Sequence, residues 1–464
     1  MRTRYFNLRI PSDGNETEMV ELIVNAGRFE EILPAGSETA AGEEQWVDLD
    51  GALVLPGAID GHVHFNDPGF TQREDFASGT SAAAAGGVTC VVDMPCTSLP
   101  PIVTTDALEN KLKIIGPKAH VDYMLWGGVS GNAMTDRGWR GHLNDLVDAG
   151  VAAIKVYMLS GMDTFRDLTT TEIREVLTQT HKLGIPVGVH AEDRAIVTEL
   201  TERARARGDD SPAAYVAARP AAAEATAVMA AVEAARDTGA RIHIVHLASG
   251  EALDVVSAAR FENLPISAET CPHYLQFTSE QFKKMGSILK TAPVVKEEAD
   301  RQRLWQGLAS GELSFVATDH AAGRWPEEKE TGSIWTDYGG VPGVELMLPY
   351  LYSEGVLRDR MTLQRLTELV SSEPARFFGV DHRKGWLRPG YDADFVVLDR
   401  ETRWKVKSES LHNLNRYTPL EGYELTGRVR ATYVRGQCAF ERRPEGTEFF
   451  APAGTGKWVR RGVA

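Results

Sequence analysis

From about residue 50 onward, short runs of apolar and β-branched residues alternate with longer stretches whose apolar positions recur at helical spacing. The short runs are Ala52–Ile59, Val88–Met94, His120–Leu125, Ala152–Tyr157, Ile185–Val189, Arg241–Val245, Pro265–Glu269 and Leu313–Ala317, each followed by a polar or glycine-containing turn. Between them lie segments such as Thr171–Leu183 and Ala221–Thr238, rich in Ala, Glu, Arg and Leu. Eight strand–helix units predict an α/β fold built on a closed (β/α)8 TIM barrel, with the helices as its outer ring. The ends read differently. Arg4–Leu49 contains strand-like pieces such as Val20–Val24, and Asp392–Phe449 contains Ala393–Leu398 and Val429–Val434. Two terminal β segments flanking a barrel predict one small β-sandwich domain, residues 1–55 with 385–464, beside a barrel over residues 56–384.

A parallel barrel carries its active site at the carboxyl ends of the strands, and five of the predicted strands end in metal-capable residues. The first runs into His62-Val63-His64, where positions i and i+2 of an extended segment point the same way and can grip one ion. The fifth runs into His190-Ala191-Glu192, the sixth into His246, the eighth into Thr318-Asp319-His320, and the fourth carries Lys155 near its end. A single histidine at a strand end is more often structural than a ligand. With only 12 histidines in the chain, four of them at carboxyl ends together with Asp319 form a pattern that chance does not readily produce.

Lys155 has two readings. An ammonium cannot bind a cation and is costly to bury, so a salt bridge is one. The other is a carbamate formed from the neutral amine and carbon dioxide, whose two oxygens can bridge two ions; with Asp319 and a hydroxide it nearly balances four positive charges.

Composition narrows the partners. Four cysteines at irregular spacing (Cys90, Cys96, Cys271, Cys438) read as reduced thiols, not as a disulfide framework or a cysteine-based zinc site. A formal net charge of −15 with 50 scattered Lys and Arg excludes the concentrated basic surface that nucleic acid requires. Neither a signal-peptide pattern nor a membrane-length apolar stretch is present, which predicts a cytoplasmic protein with no membrane partner.

The string Pro56-Gly57-Ala58-Ile59-Asp60-Gly61-His62-Val63-His64-Phe65-Asn66-Asp67-Pro68-Gly69, followed by Gly86-Gly87-Val88-Thr89 and Asp93-Met94-Pro95, resembles the cyclic amidohydrolases: allantoinase, hydantoinase and, more distantly, dihydroorotase. The resemblance continues through Lys155, His190-Ala191-Glu192, His246-Leu247-Ala248-Ser249, Cys271-Pro272-His273-Tyr274, Thr318-Asp319-His320 and Pro389-Gly390-Tyr391-Asp392-Ala393-Asp394. It implies that His62, His64 and Asp319 hold one divalent ion, that His190 and His246 hold the other, and that carbamylated Lys155 bridges them. Zinc is the implied metal, with manganese or cobalt as alternatives. No ligand position is missing, which sets the chain apart from non-catalytic assembly proteins of the same superfamily. The implied reaction is attack of a bridging hydroxide on a ring carbonyl, with Asp319 taking the proton and returning it to the leaving nitrogen. A homotetramer is also implied.

Which ring is opened turns on departures from each relative. Dihydroorotase-like sites place an arginine two residues after the His-x-His pair and an asparagine after Met-Pro; here those positions are Asn66 and Cys96, so the bidentate grip on a carboxylate is lost. Asn66-Asp67-Pro68-Gly69, Ser160-Gly161-Met162-Asp163-Thr164-Phe165 and Asp337-Tyr338-Gly339-Gly340 resemble allantoinases. Thr97 and Lys290-Thr291-Ala292-Pro293 lean toward hydantoinases. Dihydropyrimidinases commonly have a tyrosine five residues after the lysine, where this chain has Ser160. The expected reaction is therefore allantoin to allantoate, with 5-substituted hydantoins as the alternative, then dihydropyrimidinase-like or dihydroorotase-like substrates. Asn66, Ser160, Ala292 and Gly339 are the expected substrate contacts, the last two through backbone groups that can read the alternating N–H and C=O of a small cyclic ureide.

Overall fold

The computed structural model of the protein describes residues 2–38, 44–443 and 445–462. Its first strands are β1 (Arg2–Pro11), β2 (Thr17–Asn25), β3 (Arg28–Pro34) and β4 (Glu44–Pro56). The barrel strands follow as β5 (Ala58–Val63), β6 (Val88–Asp93), β7 (Asp122–Leu125), β8 (Gly127–Gly128), β9 (Ile154–Tyr157), β10 (Val187–His190), β11 (Ile242–Ile244), β12 (Ile266–Thr270) and β13 (Phe315–Val316). They pair in parallel as β5-β6-β7 and as β8 through β13 in order. Trp126 links the two arcs by donating its N–H to the carbonyl of Asp93 at 2.9 Å. The ring closes where Val63 bridges His320 and His64 N donates to His320 O at 2.8 Å.

The apolar run Ala52–Ile59, expected as one barrel strand, serves two sheets. It breaks at Gly57, where an added Cβ would lie 2.2 Å from Thr89 Oγ1, so only glycine lets the chain pass from β4 into β5. Parallel strands covered on both faces are apolar throughout, and every residue of β5, β6, β9 and β10 is buried. The bore is filled, not hollow: Trp126 donates its indole N–H to Gly61 O at 3.0 Å and packs edge-on to Phe378.

The outer helices follow local chemistry. Thr170–Leu183 starts at Thr169, whose hydroxyl accepts from Glu172 N while the Glu172 carboxylate accepts from Thr169 N, and ends on left-handed Gly184. Ile173, Val176, Leu177 and Thr180 form its buried stripe. Ala221–Thr238 spans the predicted residues.

The last strands, β14 (Phe395–Lys405), β15 (Glu424–Val434), β16 (Gln437–Arg442) and β17 (Glu448–Phe450), join the first four in one eight-stranded sheet, ordered β17-β16-β15-β14-β4-β1-β2-β3. The sheet doubles over on itself as a sandwich. Tyr5 of β1 packs against both Phe395 and Tyr433, and Phe29 of β3 reaches Phe395, around a core separate from that of the barrel. Buried Lys384 joins the two layers, meeting Asp122 of β7 at 2.8 Å, Asp394 at 2.6 Å and Asp392 at 3.2 Å. These three carboxylates could hold a cation, but the Lys384 ammonium already sits among them.

Candidate metal centre and active site

β5 delivers His62 and His64 to the carboxyl end of the barrel, and the turn after β13 delivers Asp319 opposite them. His62 Nε2 lies 3.2 Å from His64 Nε2 and 3.2 Å from Asp319 Oδ1, and His64 Nε2 lies 3.0 Å from the same oxygen. The protonation of this cluster follows from its surroundings. Glu269, at the end of β12, is fully buried and accepts from His62 Nδ1 at 2.6 Å and from His243 Nε2 at 3.1 Å. Burial opposes its charge, but His62 and His243 hold its pKa down to about 2, so it is a carboxylate that can only accept. The proton of His62 is therefore on Nδ1, and the Nε2 lone pair faces the centre. Burial, with the charge of Lys155 adding to it, keeps His62 neutral. Burial opposes a charge on His64, but Cys96 and Asp319 raise its pKa to about 10, so its Nε2 can carry a proton toward Asp319. The His62 lone pair, 3.2 Å from Asp319 Oδ1, has no proton between them, a contact that a cation stabilises.

A second group adjoins the first. The rings of His62 and His246 are 5.4 Å apart, and His246 Nε2 meets His190 Nδ1 at 2.9 Å. Glu192 accepts from His190 Nε2 at 3.0 Å and pairs with Arg219 at 2.5 Å, leaving the Nδ1 lone pair of His190 toward His246. His246 Nδ1 is buried without a hydrogen-bond partner among the described residues.

Lys155, on β9, is fully buried, and its Nζ has no hydrogen-bond partner. The amine sits 4.7 Å over the Tyr157 ring, and burial lowers its pKa to about 8. The salt bridge considered for it is not formed among the described residues. A buried amine with a lowered pKa and no hydrogen-bond partner among the described residues yields its nucleophilic form more readily than a free lysine, which fits carbamate formation. While charged, it depresses the pKa of His62, His190 and His246 after burial has done so.

The backbone is shaped to this end. His246 and Asp319 both have positive φ, 40° and 50°, a conformation that costs a non-glycine residue about 1 kcal/mol and is held only when neighbours enforce it. Buried Asp60 is one enforcer, accepting from Thr318 N at 3.0 Å and from the Thr318 hydroxyl.

A cavity of about 420 Å³ opens above the cluster, lined in part by His64, His190, His246 and Asp319. Ser160, Ala292 and Gly339 also line it. The Ser160 hydroxyl is engaged within its loop, donating to Phe165 O at 2.8 Å and accepting from Met162 N at 3.1 Å. Asn66 is not among the lining residues. It is fully buried, and its amide donates to His64 O at 3.0 Å, so it braces the ligand strand. Of the two cations at the rim, Arg219 is paired with Glu192 and Lys290 donates to Asp337 O. Arg73 is tied to Glu328 outside the cavity. Trp325 and Trp335 do not line it either; they pack on Tyr417 and Tyr215.

The family model described as the amidohydrolase family matches residues 53–439. The chain belongs to the amidohydrolase family. It is 37% identical over 411 residues to an allantoinase of Rubrobacter xylanophilus, covering 88% of this chain and 89% of that one. It is 36% identical over 439 residues to an allantoinase of Streptomyces avermitilis, covering 94% of each. The solved structure of an L-hydantoinase (dihydropyrimidinase) from Arthrobacter aurescens matches with a TM-score of 0.92 at 30% identity, over 99% of both chains. The barrel with a terminal β-sandwich is thus the fold of an amidohydrolase.

Two features of this amidohydrolase site were not singled out from the sequence. Glu269 ends the seventh strand, so the rule that selected its neighbours also pointed to it. Tyr157 was hidden in an apolar run; its ring stacks on His190 at 5.0 Å and its hydroxyl meets Cys96 Sγ at 3.2 Å, forming one cavity wall.

Proposed function

We propose that this amidohydrolase opens the ring of a cyclic ureide by hydrolysis, with allantoin converted to allantoate, and that it does so with two divalent ions, zinc foremost. The observation that carries the reading is the convergence of His62 Nε2, His64 Nε2 and Asp319 Oδ1 beside His190, His246 and partnerless Lys155, at the floor of a cavity in a chain 36–37% identical to allantoinases along most of its length.

His62, His64 and Asp319 would hold one ion, His190 and His246 the other, and carbamylated Lys155 both. When bound, such ions supply Lewis acidity toward a carbonyl and lower the pKa of an attacking water. Asp319 takes the proton of that water on its carboxylate and gives it to the ring nitrogen as the C–N bond breaks. Burial favours a neutral Asp319, but His62, His64 and His246 hold its carboxyl well below the usual carboxylate range, so it starts as a base. Backbone groups of Ala292 and Gly339 orient the ring, and the absence of an uncommitted guanidinium in the wall disfavours a carboxylate-bearing ring such as dihydroorotate. Hydantoins are the second reading, favoured by the match to the L-hydantoinase structure. Asn66 acts on substrate only through the strand it braces.

Turnover of allantoin, dihydroorotate, dihydrouracil and several 5-substituted hydantoins by zinc-, manganese- and cobalt-loaded protein tests the reading, with Asp319→Asn as control. Allantoin turnover lost in the variant is expected. Hydantoin turnover alone would change the substrate and keep the reaction. No turnover by protein holding both ions would overturn it. The reading extends to a cytoplasmic homotetramer, which sedimentation velocity tests.

A further inference from the structure

A second cavity, of about 300 Å³, shares no lining residue with the first and lies where β14, β15 and β16 meet the barrel helix Phe76–Ala85 and the segment Glu345–Pro349. Four cations line it: Lys405, Lys407, Arg428 and Arg442. The acid that lines it, Glu345, already accepts from His412 N at 2.8 Å and from His412 Nδ1 at 2.9 Å. Glu448 pairs with Arg442 and Glu409 with Lys407, so Lys405 and Arg428 remain without an ion pair among the described residues, which calls for an explanation.

The two arginines supply it. Arg428 has no ion pair among the described residues, and its Nε is buried with no hydrogen-bond partner. Its guanidinium is held 5.1 Å over the Trp404 ring, and that indole is itself fixed by donating to Gly427 O at 3.0 Å. Arg442 pairs with Glu448 through one terminal nitrogen, while its Nε is likewise buried and unpartnered. Burial and the neighbouring charge of Arg442 lower the pKa of Arg428, against the smaller opposing pull of Glu448 and Glu345. The two guanidinium groups are part-exposed at the cavity, one held by stacking on Trp404 and the other by pairing with Glu448, and such planar forks suit pairs of oxygens.

We propose that this cavity binds a small dianion, which presents phosphoryl or paired carboxylate oxygens to Arg428 and Arg442, with Lys405 and Lys407 at the mouth. The site is separate from the hydrolytic centre, and neither reading depends on the other.

Calorimetric titration of the metal-loaded protein with inorganic phosphate and with malonate, chloride holding the ionic strength constant, tests it. Saturable binding is expected, weakened tenfold or more in Arg428→Gln with allantoin or hydantoin turnover unchanged. Asp319→Asn is expected to bind as the unaltered protein does. Arg428→Lys, which keeps the charge and loses the fork, is expected to fall between them, and it serves should Arg428→Gln not fold. Stronger saturation by phosphate assigns the site to a phosphoryl group and by malonate to a dicarboxylate; either supports the proposal. It is overturned if neither anion saturates, if both Arg428 variants bind as well as the unaltered protein, or if binding is lost in Asp319→Asn, which would place the anion in the hydrolytic cavity.

Discussion

Glu269→Gln separates the folding role of a buried carboxylate from its role toward a ligand. In the native site the carboxylate accepts from His62 Nδ1 and His243 Nε2 and, at 3.3 Å, from His246 N. Glutamine keeps the shape. Its carbonyl can still accept from His62, and its amide can donate to His243 Nε2, because His243 Nδ1 lies 2.7 Å from Ser267 Oγ and can carry the proton instead. All partners are satisfied, so the cost is that of exchanging charge-assisted for neutral hydrogen bonds, about 1–3 kcal/mol. Glu269→Ala, which orphans a donor on each histidine, should cost about 1–3 kcal/mol for each. The larger functional effect is expected on the ion proposed at His62: a ligand that loses its carboxylate partner binds metal about 10–100-fold less tightly, or about 1.4–2.7 kcal/mol. The ion proposed at His190 and His246 should change little, since Glu269 touches that pair only through a backbone N–H. Urea unfolding of metal-free protein reads the first quantity, and chelator competition with metal counting reads the second. Equal weakening of both ions, or retention of both within about threefold, would refute the reasoning.

Asp319→Asn should bind substrate but lose about 10²–10⁴-fold in kcat, measured by steady-state ring opening at matched metal content, because the amide cannot accept a proton. Lys155→Met removes the partnerless amine and should leave the protein folded with fewer than two ions, counted by elemental analysis; full occupancy would exclude Lys155 as a ligand. His412 gives a pH dependence. Burial opposes its charge, but Glu345 and Glu448 raise its pKa above the usual histidine value. Its stabilising contribution is therefore complete below about pH 6.5 and lost as pH rises through the raised pKa. The thermal-midpoint difference between the unaltered protein and His412→Gln should shrink with rising pH over that window, and a constant difference would contradict the assignment.

Much of this molecule was legible in one dimension because its determinants are local. The 3.6-residue stripe of Thr170–Leu183 and the strand-to-turn switch are readable within a few residues, and the barrel rule then gathers distant strand ends. His62, His64, Lys155, His190, His246 and Asp319 were selected as candidates that way, since alternation along an extended segment sets which way a side chain points. Asn66 failed the same extrapolation because its backbone leaves the strand at positive φ, turning the amide back onto His64 O.

Other features were decided only when the chain closed on itself. The break at Gly57 depends on Thr89, thirty-two positions on, occupying the space of a side chain. Lys384 becomes a buried bridge only because Asp122, Asp392 and Asp394 arrive from two layers. The tautomer of His62 is set by Glu269, and the partnerless state of Lys155 by everything packed around it. Which residues can do chemistry is a matter of type and local periodicity; what protonation and which partners they have is a matter of desolvation and neighbours, and those exist only in three dimensions.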